Sequence, residues 1–291
     1  KTLDQKPREL PSLKLDHLAR MTDSTGIFQH AIFSVPNFSE GYCTDDNARA
    51  FILTVLLDEL EEEPERVRKL ATTYAAFLHH AFNLKTKRFH NHLSFDRRWL
   101  DEQGSEDCHG RAVWALGVGV GRSPYPSFHI MAGQLFALAL PAVTEFTSPR
   151  AWAFSLIGIH EYLRRLTGDS LVHQTREALT ARLMELLEKT RQPDWPWFEE
   201  ELTYDNAKLP HALILSGGAT GQPAVSERGL QVLRWLAEVQ TSEAGHLQPI
   251  GSNGSYRRGG TRPNFDQQPI EAQAMVSACL EAYRATTDPW W

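Results

Sequence analysis

Four acidic residues stand out by where they fall: Asp45, Asp46, Asp107 and Asp205. Each sits at the start of an apolar stretch with helical spacing, and a base follows three or four residues on. The examples are Asp45-Asp46-Asn47-Ala48-Arg49, Asp107-Cys108-His109-Gly110-Arg111 and Asp205-Asn206-Ala207-Lys208. Glycoside hydrolysis needs two carboxyl groups, one to protonate the leaving oxygen and one to act as base or nucleophile. Inverting enzymes hold them about 6.5–9.5 Å apart and retaining enzymes about 5–5.5 Å. Packed helices lie roughly 8–10 Å apart, so acids at adjacent helix starts could flank a bond at the inverting spacing. Asp46 or Asp45 is the expected base or nucleophile, Asp107 the expected general acid, and Asp205 the reserve, with Asp266 a further candidate. His109, Arg111 and Arg49 would tune these carboxyls or hold sugar hydroxyls. Cations depress a carboxyl pKa and burial raises it, and the sequence leaves that balance open at Asp107.

The same acids also suit a structural role, because Asp and Asn are favoured helix caps and acids in the first turn complement the helix dipole. What favours function is company: Tyr42, Asn47, Glu106, Tyr204, Asn206 and Gln268 repeat one polar register at helix starts. Tyr42, Trp99, Trp195, Trp197, Tyr204, Tyr256 and Phe265 lie in loops, where they either stack on sugars or pack onto the core. Trp114, Trp152 and Trp235 sit mid-helix and read as core. Glu199-Glu200-Glu201 reads as a solvated run, one member of which could face a cleft. Arg257, Arg258 and Arg262 lie in a glycine-rich loop and read as either solvated or able to bind a carboxylate or phosphate.

Helical periodicity dominates the elements that must position these residues. Ten helices are expected, at about 10–30, 46–60, 64–83, 107–120, 127–145, 148–166, 170–191, 205–216, 225–240 and 268–285. Residues 87–103 read as a short hairpin or ordered loop. Short connections alternate with long aromatic-rich ones, which fits antiparallel helix pairs whose elaborated loops gather on one face. The starts at 45, 107, 205 and 268 are separated by 62, 98 and 63 residues, and the Ser148-Pro149 start fills the long gap. A helical hairpin of roughly 50–60 residues therefore repeats, within one domain spanning residues 1–291.

Composition narrows the partners. With 291 residues and a net charge of −6, the surface offers no basic field for nucleic acid. No stretch reads as a membrane span of roughly 20 apolar residues. Three scattered cysteines point to a reducing compartment and a cytoplasmic protein. No Cys or His spacing matches a zinc signature. Gly117-Val-Gly-Val-Gly121 ends a helix and is not a phosphate loop. No cofactor is expected, and the oligomeric state is open.

The segments GYCTDDNARA, SEDCHGRAVWALG, LTYDNAKLPHALIL and FDQQPIEAQAM resemble the six-hairpin glycosidases, the (α/α)6 toroids, and within them a bacterial glycosyltransferase-associated, carbohydrate-processing group. Asp45-Asp46 is similar to the paired aspartates of certain α-mannanases of that fold. The resemblance implies an all-α toroid with small β-hairpin or loop insertions, a carbohydrate substrate in a central groove, and hydrolysis by carboxylates. The fold uses twelve helices, and ten are found, so either a terminal hairpin is missing or a neighbouring domain or subunit completes the ring. A glycoside hydrolase acting on an oligo- or polysaccharide is the leading expectation. One alternative is a sugar epimerase or polysaccharide lyase, with His109 or His211 as base. Another is a carbohydrate-binding domain beside a glycosyltransferase.

Overall fold

Prolines mark where helices begin. Pro64, Pro126, Pro149, Pro223 and Pro269 each stand at the first helical residue, where a missing N–H costs nothing. The computed structural model describes residues 12–291. Its helices are α1 (Asp16–Arg20), α2 (Thr44–Glu59), α3 (Pro64–Ala81), α4 (Glu106–Gly121), α5 (Pro126–Ala139), α6 (Pro149–Leu163), α7 (Ser170–Thr190), α8 (Lys208–Thr220), α9 (Pro223–Val239) and α10 (Pro269–Thr286). Two-residue strands pair within the loops: β1 (Ala31–Ile32) with β2 (Val35–Pro36), β3 (Tyr42–Cys43) with β6 (His92–Leu93), β4 (Phe82–Asn83) with β5 (Arg88–Phe89), and β7 (Glu201–Leu202) with β8 (Tyr256–Arg257).

Burial sorts the helices into two layers. Every residue of α4 from Cys108 to Val120 and of α8 from Lys208 to Gly217 is buried, as an element covered on all sides requires. By contrast, α9 buries Val225, Gly229, Val232, Leu233 and Leu236, the single stripe of a helix with one wet face. The inner layer runs α2, α4, α6, α8, α10, each packed on the next, with α3, α5, α7 and α9 outside. Residues of all five inner helices line one central cavity, among them Leu56, Trp114, Ile157, Leu215 and Leu280. The arc's ends, α2 and α10, lack the close packing that joins the other neighbouring inner helices, and Leu53, Leu56, Val276 and Leu280 stay exposed there. Among the described residues this gives nine long helices and one short one.

Close approach of α4 to α6 explains Gly117 and Gly121 of the glycine run, while Gly119 sits against Phe51 and Ala132. A Cβ on Gly117 would meet the Gly158 carbonyl oxygen at 2.1 Å, and one on Gly158 would meet Trp114 Cα at 2.7 Å.

Three expectations need correction. The helix at 10–30 shrinks to α1. Leu10 lies outside the described residues, and the Asp23 carboxylate accepts from the N–H groups of Thr25 (2.7 Å) and Gly26 (3.2 Å), turning the chain. The helix at 205–216 starts at Lys208, because Asp205 holds φ +50°. The helix at 127–145 divides into α5 and a 3-10 segment, Leu140–Glu145. That whole stretch, Pro126–Glu145, is long and apolar enough to cross a membrane by length and composition. Here it packs on α4 and α3 in the outer layer.

Candidate active site

Capping does not account for the acids at the helix starts. The caps are Ser105, whose Oγ accepts from Cys108 N (3.1 Å), Ser148, accepting from Ala151 N (3.3 Å), and Asp169, accepting from Val172 N (3.2 Å). Asp45, Asp46 and Asp107 stand inside first turns and are free for other partners.

Three aspartates far apart in sequence meet around one guanidinium and one phenol. Arg111, only 2 % exposed, binds Asp45 through Nε and Asp205 through Nη1 (2.9 Å). Its guanidinium also lies 4.0 Å from the Phe154 ring centroid. Burial works against its charge, and Asp45 and Asp205 more than restore it, so its proton is held more tightly than usual. Asp107 accepts at one oxygen from Ser148 Oγ and at the other from the Tyr204 hydroxyl. Burial and the Asp107 carboxylate push the Tyr204 phenol far up. Among the loop aromatics offered as sugar platforms, half-exposed Tyr204 stands at this mouth.

Asp46 points the other way, into a groove of about 570 Å³ between α2 and the 14–31 segment. His30, Gln29, Arg49 and His17 line the same groove over an apolar floor that includes Met21 and Leu53. Burial raises the Asp46 carboxyl, and Asp45 adds to the rise, against the opposing charges of Arg49 and His30. Arg49 spends only Nη2 on Asp45 (2.9 Å) and Asp46, leaving further donors for a ligand.

Behind the mouth lies a second polar layer. Arg150 donates to the Tyr204 carbonyl (2.7 Å) and to Glu199 (2.8 Å). Glu271 of α10 accepts from the N–H of Asp205 and from Asn206 Nδ2 (3.0 Å), and burial raises its carboxyl. Glu271, His30 and Lys208 were missed as site residues. His30 fell inside an expected helix, and Glu271 lies three residues past the aligned start at Gln268, with only its acidic type to mark it.

Several expected binding residues have structural tasks instead. Asn47 is sealed, its Oδ1 accepting from Ile27 N (3.0 Å) and its Nδ2 donating to the Cys43 carbonyl (2.8 Å). Tyr42 is 1 % exposed and donates to Asp23 (2.6 Å). His109 turns outward, with Nε2 2.9 Å from the Ala139 carbonyl and Phe89 and Phe146 against its ring. Burial lowers its pKa to about 3, so it is no base for a sugar. Asn206 is buried, bonded to Thr203 N and Glu271. Trp195 and Trp197 are buried against Trp235. Asp266 and Gln268 bond each other (2.9 Å) and Ser252 on an exposed loop, without touching the aspartate cluster. Arg257 and Arg258 pair with Glu201 and Asp194, and Arg262 donates to the carbonyls of Val239 and Gln248. Among the described residues no group of three or more His, Cys, Asp or Glu is placed to hold a metal ion.

No family model matches the chain, and no curated protein matches it. Among solved structures it is similar to a sugar epimerase from a ruminal bacterium, with TM-score 0.70 and 11 % identity over 94 % of this chain and 78 % of that one. It is also similar to cellobiose 2-epimerase from Bacillus thermoamylovorans B4167, with TM-score 0.73 and 13 % identity over 94 % of this chain and 80 % of that one. At such identities the likeness is one of architecture, and that architecture is the all-α (α/α)6 toroid with small β insertions.

Proposed function

We propose that this protein is a sugar epimerase, moving a proton off and back onto a sugar carbon beside a carbonyl. One observation carries the reading: among the described residues the groove along α2 is faced by a single carboxyl, Asp46, with the imidazoles of His30 and His17, the guanidinium of Arg49 and the ammonium of Lys14. Carbon-bound protons leave to a base whose proton affinity approaches the working pH, and burial moves Asp46 in that direction. The electron pair left behind settles on the carbonyl oxygen, where the free donors of Arg49 would stabilise it. His30 is near enough to act electrostatically on Asp46. It would donate its own proton to the opposite face, which inverts the centre, while the proton taken up by Asp46 passes to solvent and His30 is reprotonated from it. That the two solved structures named above are sugar epimerases supports the same reading.

Hydrolysis has one observation in its favour. Asp45 and Asp205 meet on one guanidinium, so their bound oxygens are no more than roughly 8 Å apart. Yet Arg111 fills the space between them, Asp205 is fully buried, and both oxygens of Asp107 are taken. The discriminating experiment incubates the protein with aldoses and disaccharides in deuterium oxide. Epimerisation gives deuterium at the carbon beside the carbonyl, a new epimer and no new reducing ends. New reducing ends without deuterium at that carbon mark a glycosidase, and sugar binding with neither product marks a binding domain.

A further inference from the structure

The central cavity of the ring, about 250 Å³, is separate from the groove at Asp46 and shares no lining residue with it. Its charge is opposite in sign to that of the molecule. Arg122, Arg164, Lys208 and Arg284 line it against Glu161 and Glu281, in a chain of net charge −6. Arg122 is engaged by Glu59 and Glu161, both at 2.8 Å. Arg164 and Arg284 are held loosely, at 3.5 Å from Glu161 and 3.3 Å from Glu281.

Deeper in, two donors have nothing to bond. Lys208 is fully buried, and its Nζ has no hydrogen-bond partner, lying 4.7 Å from the Trp114 ring centroid. His211, one turn on along the same face of α8, is 8 % exposed, with Nδ1 sealed and unpartnered. A buried ammonium without an acceptor is costly, and such groups persist where a ligand supplies what the protein does not. The nearby carboxylates act on Lys208 by charge without bonding it: Asp205 pairs with Arg111 through Oδ2 and leaves Oδ1 unpartnered, and Glu271 accepts from Asp205 N and Asn206.

We infer that this cavity binds a small phosphate-type oxyanion, with Lys208 and His211 as inner donors and Arg164 and Arg284 closing the rim. The shared chemistry is a tetrahedral dianion, either free phosphate or the phosphate of a sugar monoester. Lys208, lowered to about 8 by burial and by Arg111 against the opposing charges of Asp205 and Glu271, and His211, lowered further by burial, Lys208, His160 and Arg284, would take up protons as the anion enters. None of this depends on the epimerase reading.

Calorimetric titration of the full chain with inorganic phosphate and with glucose 6-phosphate tests it, repeated in buffers of different ionisation enthalpy. Millimolar or tighter binding with net proton uptake is expected. Lys208→Met and Arg284→Gln should each weaken it about tenfold, the loss of one charge-assisted bond. Arg284 is largely exposed, so its variant keeps the test open if Lys208→Met does not fold. Tighter binding of the sugar phosphate identifies the monoester as occupant, and equal binding identifies free phosphate. No binding of either at millimolar concentration, or unchanged binding in the folded variants, overturns the proposal.

Discussion

At Asp46 burial competes with a guanidinium, and burial prevails. A base must be ionised to accept a proton, so activity should fall as pH drops through a pKa lying above the ordinary carboxylate range of about 4. Asp46→Asn should lower kcat by about 10²–10⁴-fold while leaving the unfolding midpoint near that of the parent, and His30→Asn should do likewise. Rate profiles against pH, with thermal melts of the same samples, check both. His109 shows how burial acts where no chemistry follows. Unfolded, it binds a proton near 6.5, and folded only near about 3. Between these values the unfolded state holds the extra proton. Stability therefore falls as pH falls through that window, by up to about 1.4 kcal/mol per unit. Urea midpoints measured from pH 7 down to pH 4 should fall less steeply in His109→Phe than in the parent.

At the scale of elements, the α4–α6 contact is decided by absent side chains. Gly117→Ala drives a methyl into the Gly158 carbonyl, with rigid helical backbone on both sides. It should cost about 1–3 kcal/mol or more, read as a lowered unfolding midpoint. Gly218→Ala, in α8 with nothing within 4 Å of the added carbon, should instead stabilise by about 0.5–1 kcal/mol. These elements were legible in sequence because helical stripes and proline starts are local signals. Their failures are local too: Leu13, Leu15 and Leu18 suggest a helix that would run on, and the Asp23 side chain turns the chain a few residues later. Side-chain direction was not legible. Asp45 and Asp46 are adjacent, yet one faces Arg111 and the other the α2 groove. His109 and Arg111 are two residues apart and point to opposite sides of α4. Which side of a helix meets the cleft follows from which helix packs next to it, and that is long-range information.

At the scale of the whole molecule, Arg111 joins elements that sequence spacing keeps apart. From α4 it reaches Asp45 on α2, Asp205 ahead of α8 and the face of Phe154 on α6. Three of the five inner helices, and the segment leading into a fourth, therefore share one side chain at the mouth of the ring. Taking two carboxylates and a guanidinium out of water is expensive, and their mutual attraction is what offsets it. Removing the cation alone leaves Asp45 with Arg49 (2.9 Å) and leaves Asp205 buried without its partner. Arg111→Met should thus lose about 3–5 kcal/mol, read as a fall in urea midpoint. The loss should persist at about 1 M salt, because screening acts weakly on a pair closed off from solvent. Adding Asp205→Asn to Arg111→Met should recover part of it, since the orphaned charge is then gone. A loss under about 1 kcal/mol that vanishes in salt would make the cluster an ordinary surface ion pair. The arc of inner helices would then be held by its apolar contacts alone.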